Sequence, residues 1–175
     1  MDLKWWLQAL DVSDFHCELP TQGPCQDMGL FVDASTSWSI GIVIAGRWAA
    51  FKLCNDWKVA GRDICWLEMV TVEVLIYILE DMGLSNVTLL IHSDNQGTIG
   101  SLAKGHSCNF HINLSIRRIY VVLASLFITP ELVYIASKNN PADPISCGEL
   151  GSLETCITTS FRLPDKLQHI FFDVS

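Results

Sequence analysis

Positive charge is scarce in this chain: 11 Lys and Arg stand against 19 Asp and Glu in 175 residues, a formal charge of -8. That balance excludes a protein that holds nucleic acid through a broad basic surface alone. The deficit is concentrated at the ends, since residues 1–30 hold Lys4 against Asp2, Asp11, Asp14, Glu18 and Asp27, while residues 31–148 hold eight bases and ten acids. Two bound divalent cations would make that middle stretch positive. Also absent is any C-x-x-C pair among the seven cysteines (17, 25, 54, 65, 108, 147 and 156). Their odd number and spacing argue against a zinc site and a disulfide framework, so reduced, buried thiols are expected. Long hydrophobic runs are lacking too. The longest charge-free apolar stretch, Ile119 to Pro130, falls short of the roughly 20 residues that span a bilayer, and no membrane segment is expected. The opening "MDLKWWLQALDVSDFH" has no sustained hydrophobic region or cleavage site and reads as an amphipathic arm, not a secretion signal. The expected location is intracellular, cytoplasmic or nuclear. No internal repeat or low-complexity run interrupts the sequence.

Half of the residues are hydrophobic, enough for one domain with a real core. Residues 1–28, with Pro20, Gly23 and Pro24, read as an N-terminal arm and linker. The domain is expected over 29–148, followed by a C-terminal extension, 149–175. "GLFVDAS" (29–35) reads as a strand, and "WSIGIVIAG" and "RWAAFKL" as a hairpin turning at Gly46. From Asp63 as N-cap, "ICWLEMVTVEVLIYILEDMG" has helical spacing and stops at Gly83. "NVTLLIHS" is a fourth strand, "NQGTIGSLAKG" a short helix, residues 109–127 a second long helix and "ELVYIAS" (131–137) a fifth strand. Asn140 caps a last short helix with Pro141 at its first position. The order βββ-α-β-α-α-β-α predicts an α/β fold: a five-stranded mixed sheet, three antiparallel strands and then helix-linked ones, flanked by helices.

Four acids deserve a common explanation. Asp33 lies in the first strand and Asp94 ends the fourth; as parallel neighbours, the two strands would run roughly 4.8 Å apart. Burying two like charges so close is costly without a cation or proton to compensate. On the first long helix, three-and-four spacing from Glu68 collects Thr71, Val72, Leu75 and Leu79, whereas from Glu73 it collects Ile76, Tyr77, Glu80 and Asp81. Glu68 is therefore expected on the buried face and Glu73 on a partly solvated one. Asp143 falls in the first turn of the last helix, where the dipole tolerates a negative charge. Singly, Asp94 reads equally as a helix cap, Glu68 as a capping or snorkelling acid and Asp143 as an ordinary first-turn acid. Together they suit magnesium or manganese, which take hard oxygen ligands. Two such ions roughly 3.5–4 Å apart serve an in-line phosphodiester displacement.

"FVDASTSWSIGIVI", "ICWLEMVTVE", "LLIHSDNQGTIG" and "VYIASKNNPADPIS", in this order, resemble the ribonuclease H domain of retroelement reverse-transcriptase polyproteins of the gypsy type and its relatives. The resemblance covers about residues 29–148. It implies a ribonuclease H-like fold, two magnesium ions (or manganese) and endonucleolytic hydrolysis of the RNA strand of an RNA-DNA hybrid. The family's acidic tetrad falls on Asp33, Glu68, Asp94 and Asp143. The chain departs from the family at Cys147, where related elements place an arginine. No reverse-transcriptase palm or integrase region is present, so the chain reads as a piece of a larger polyprotein, a decayed copy or a domain retained by a host.

Weaker candidates surround these acids. His106, in a Gly- and Ser-flanked loop, is either a proton shuttle or a solvated histidine. Lys104, Arg117, Arg118 and Lys138 are either phosphate contacts or ordinary surface charges. Asn95 either orients the hybrid or caps its helix, the cap being the simpler reading. Trp57, in a polar loop, is the tryptophan placed to stack on a sugar or base. The competing function is a catalytically inactive or domesticated module that binds nucleic acid or a protein partner. An integrase-type enzyme is disfavoured because the glutamate comes second among the acids, not last.

Overall fold

The computed structural model describes residues 23–157 and 163–173. The expected amphipathic arm, with Trp5, Trp6 and Cys17, lies outside them. Strand β1 (Cys25–Ala34) starts before Gly29 and bends there, where the pairing register shifts and Gly29 takes a φ of 63°. Strands β2 (Ser39–Ile44) and β3 (Arg47–Leu53) form the expected hairpin. Its two-residue turn, Ala45-Gly46, has positive φ at both positions, the conformation whose twist matches that of paired strands.

Helix α1 (Ile64–Asp81) begins at Asp63, whose side chain accepts the Trp66 N–H. Gly83, with φ 75°, follows its end. Strand β4 (Val87–Ser93), helix α2 (Gln96–Lys104), helix α3 (Phe110–Leu126) and strand β5 (Ile128–Tyr134) come next. A 3-10 turn (Ser137–Asn139) leads to helix α4 (Ala142–Ser146), and helix α5 (Asp165–Gln168) to strand β6 (Phe171–Asp173). The sheet order is β5-β4-β1-β2-β3-β6, with β1 parallel to β4, β4 parallel to β5, and β2 antiparallel to both its neighbours. The mixed α/β sheet is as expected, with six strands instead of five. The sixth comes from the C-terminal stretch, whose Ile157, Leu163, Leu167, Ile170 and Phe171 join the main core.

Two apolar clusters lie on opposite faces of this sheet. The larger holds alternate residues of the central strands (Leu30, Val32, Ile40, Ile42) together with α1 and α3; the smaller holds Val43, Trp48 and Ala50 with Ala142 and Ile145 of α4. Helix α4 comes very close to the sheet. A Cβ on Gly41 would meet the Ala142 carbonyl oxygen and the Ser146 nitrogen at 2.6 Å, so only glycine admits α4 there.

Several expectations are corrected. Glu73 is not partly solvated: it is fully buried, because α3 packs against α1 and brings Arg118 onto its carboxylate. Trp57 is also buried, stacked on Trp66 with ring centroids 6.3 Å apart, and is unavailable to a base. The thiols are mostly not buried; of the six described, only Cys156 is, while Cys25, Cys108 and Cys147 are exposed. Strand β5 starts at Ile128 rather than 131 and includes Pro130, which an edge strand tolerates because one side of its backbone needs no partner. Among the described residues, no helix is long and apolar enough to cross a membrane.

Candidate metal centre

Asp33 and Asp94 come from the parallel pair at the middle of the sheet. The register Leu30↔Ile91 and Phe31↔His92, continued along both strands, brings Asp33 beside Asp94. Leu30 and Val32 belong to the cluster under α1 and Phe31 to the cluster under α4, so strand alternation turns Asp33 toward α4. Glu68 reaches the same point from one turn into α1. One carboxylate oxygen from each of the three lies within 4.8 Å of the others. Asp33 and Glu68 are buried, at 5% and 4% exposure, and Asp94 is half-buried.

Electrostatics follow from this crowding. Burial, with Asp33 and Asp94 adding repulsion, pushes the Glu68 carboxyl up to about 9, against a smaller opposing effect of the Ala34 backbone N–H. Burial likewise raises Asp33 to about 6; the Ser146 hydroxyl opposes the shift, and Asp94 and Asp143 reinforce it. Glu68 Oε2 is buried without a hydrogen-bond partner. Among the described residues none of these three acids is ion-paired with a Lys, Arg or His. A cluster of hard oxygen donors with an orphaned oxygen and no counter-charge fits a divalent cation such as magnesium or manganese. Acidic clusters are common on protein surfaces; two buried members make this one different.

The fourth expected acid, Asp143, is half-buried in α4 and is felt by Asp33 as a like charge, but it lies outside the group of three. Helix α4 brings another residue instead. The Ser146 hydroxyl donates to Asp33 Oδ2 at 2.5 Å, and the Ser137 hydroxyl donates to Asp94 Oδ2. Asn140, expected as a helix cap, does accept the Ala142 N–H at 3.1 Å; its amide also donates to the Val32 carbonyl at 3.0 Å, tying the start of α4 to the residue before Asp33. Sequence reasoning missed all three of these supporting contacts, because they join residues more than 40 positions apart.

The remaining candidates are scattered. Asn95 caps α2, accepting the Thr98 N–H at 3.0 Å, so Asp94 is not the cap. Lys104, Arg117 and Lys138 are exposed, as is His106 just beyond the left-handed Gly105. Arg118 is neither an exposed charge nor a free phosphate contact: its guanidinium makes paired hydrogen bonds to Glu73, at 2.5 and 2.8 Å. It also borders a cavity of about 240 Å³ lined by the basic Arg62, His111, Lys166 and His169 with Trp66.

No protein-family model matches the sequence, and no curated protein matches it. Among solved structures, the chain is similar to the RNase H1 of the halophilic archaeon Halobacterium salinarum NRC-1, with a TM-score of 0.48 and 8% identity over 71% of this chain and 100% of that one. The chain itself is a mixed α/β sheet flanked by helices, with β1 parallel to β4, β4 parallel to β5 and β1 antiparallel to β2.

Proposed function

We propose that this chain is a metal-dependent endoribonuclease that cleaves the RNA strand of RNA-DNA hybrids, derived from a retroelement reverse transcriptase of the gypsy type. The observation that carries the reading is the convergence of Asp33, Glu68 and Asp94, two of them buried and none with a Lys, Arg or His partner among the described residues, with Glu68 Oε2 left without a hydrogen bond. The retroelement origin rests on the four motifs and their order. Asp33, Glu68 and Asp94 would hold magnesium, with Asp143 the fourth acid of the set. When bound, the ions supply an activated water and offset charge on the leaving oxygen in an in-line displacement.

The protein's own part is to keep these acids together despite their repulsion. Burial of Asp33 and Glu68 excludes water from their carboxylates, while the more exposed Asp94 and Asp143 face the side from which a substrate arrives. Raised proton affinity makes a divalent ion and protons compete for one site, most strongly at Glu68. The cavity bordered by Arg62, His111 and Lys166, with Leu114, Leu167 and Ile170 in its lining, brings two cationic side chains together on this acidic chain and would receive a phosphate of the hybrid backbone.

The test is cleavage of a labelled RNA-DNA hybrid by the purified chain in magnesium and then manganese, beside Asp94→Asn. Cleavage by the parent, with a loss of at least about 100-fold in the variant, supports the reading. A folded parent that binds the hybrid without cutting it supports the inactive, nucleic-acid-binding alternative instead.

A further inference from the structure

We propose that Ser146 and Ser137 are positioning residues of the metal centre: each holds the Oδ2 atom of one aspartate, Asp33 or Asp94, and leaves the other oxygen to the ion. The inference rests on reading Asp33, Glu68 and Asp94 as that centre.

The need for such holders comes from the crowding itself. A carboxylate turns readily about its last bond, and Asp33 and Asp94, which have oxygens within 4.8 Å of each other and of Glu68, repel one another. Something must hold them converged before a cation arrives. A lysine or arginine would hold a carboxylate firmly, but would take the place of the ion. Glu73 illustrates this, since Arg118 occupies both of its oxygens. A hydroxyl donates one proton, carries no charge and leaves the second oxygen free. Ser146 and Ser137 are donors of this kind, and each engages only Oδ2 of its aspartate.

The fold fixes where Ser146 stands. Its hydroxyl lies 2.5 Å from Asp33 Oδ2 and 2.9 Å from the Asp143 carbonyl oxygen. Having one proton, it gives it to the closer, charged acceptor. Gly41 is the residue directly opposite Asp33 in the β1–β2 pairing. The space left by its missing side chain is where the Ser146 backbone sits, 2.6 Å from where a Cβ would be. Asn140 ties the other end of α4 to Val32, the neighbour of Asp33. Ser146 therefore reaches Asp33 because the strand beside Asp33 has a glycine and the residue before it anchors α4. Ser137 stands in the turn after β5, so one segment, 137–146, supplies both hydroxyls, the Asn140 anchor and Asp143.

The test is calorimetric titration of manganese into the whole chain and into Ser146→Ala, Ser137→Ala and Ser137→Thr, each shown by thermal melting to be folded. The parent is expected to bind, and each alanine variant to bind about 10-fold or more weakly, the usual loss when a partner that orients a metal ligand is removed. Ser137→Thr, which keeps the hydroxyl at an exposed position, is expected to retain the parent's affinity. Should Ser146→Ala fail to fold, the Ser137 pair decides the matter. Alanine variants that bind as tightly as the parent overturn the proposal and leave the metal centre standing, as does a threonine variant as weak as the alanine one. A parent that binds no manganese removes the metal centre, and the proposal with it.

Discussion

Glu68 and Glu73 sit five residues apart on one buried helix, at 4% and 0% exposure, and keep opposite company. Glu73 meets Arg118 from α3 through both carboxylate oxygens and accepts a hydrogen bond from the Tyr77 hydroxyl at 3.4 Å. The pair holds the guanidinium pKa up, and burial with the nearby Glu73 raises the Tyr77 phenol to about 12. Glu68 has an oxygen with no partner and two aspartates for neighbours. Burial does not distinguish the two acids of this helix. The distinguishing feature is that Glu73 has a cation from α3 and Glu68 has none among the described residues.

The comparison breaks most sharply if each acid is deprived of its present company. Arg118→Ala leaves Glu73 as a buried charge with no cation, and is expected to lower stability by about 3–5 kcal/mol, read as a shift of the urea midpoint at unchanged slope. Adding Glu73→Gln to that variant is expected to restore much of the loss, because the stranded charge is then gone. If Arg118→Ala unfolds within about 1 kcal/mol of the parent, the pair is not what secures α1 to α3, and Arg118 returns to the list of phosphate contacts.

Glu68 behaves in the opposite sense. Its carboxyl is raised from 4.5 to about 9 and that of Asp33 from 3.8 to about 6, so the metal-free folded state keeps protons that the unfolded chain has already lost. The unfolded state binds fewer protons, and stability therefore falls as pH rises. The Asp33 contribution is lost between about pH 4 and 6, and that of Glu68 between about pH 4.5 and 9. At pH 7 in a chelator, Glu68→Gln is expected to be more stable than the parent by roughly 3 kcal/mol, with a flatter stability profile from pH 6 to 9. Glu73→Gln is expected to be less stable than the parent. Manganese should reverse the order by stabilising the parent and not Glu68→Gln. A parent whose stability is level from pH 6 to 9 contradicts the account of Glu68.

How far the sequence carried this distinction depends on the range of the forces involved. The Asp63 cap, the Ala45-Gly46 turn and the spacing of α1 are local, and the structure has them where the residues indicate. The parallel placement of Asp33 and Asp94 follows from crossover topology and was legible too. Glu73 was not, because helical periodicity locates one buried face and is silent about a second helix packed beside it. Strand β6 is three residues long, too short to show an alternation. Trp57 sits in a loop that is polar in sequence, yet a tryptophan on the far side of that loop covers it. The two serines carry no pattern at all; a hydroxyl becomes informative only when an acid from a distant strand is found beside it.

The smallest effect sharpens the same contrast between neighbours in sequence. Asp94 and Asn95 stand next to each other, but Asn95 serves its own helix, accepting the Thr98 N–H, whereas Asp94 is turned to Asp33 and Glu68. Asn95→Ala removes a cap and is expected to cost about 1 kcal/mol in chemical denaturation. Manganese affinity should stay that of the parent. Asp94→Asn removes a charge that repels Asp33, so the metal-free protein should be no less stable while its manganese affinity collapses. The informative quantity is the ratio of the two effects within each variant, which a general loosening of the loop after β4 would make similar in both. If Asn95→Ala weakens manganese binding as much as it weakens the fold, the cap and the centre are one unit, and the contrast drawn on α1 does not extend to this end of the sheet.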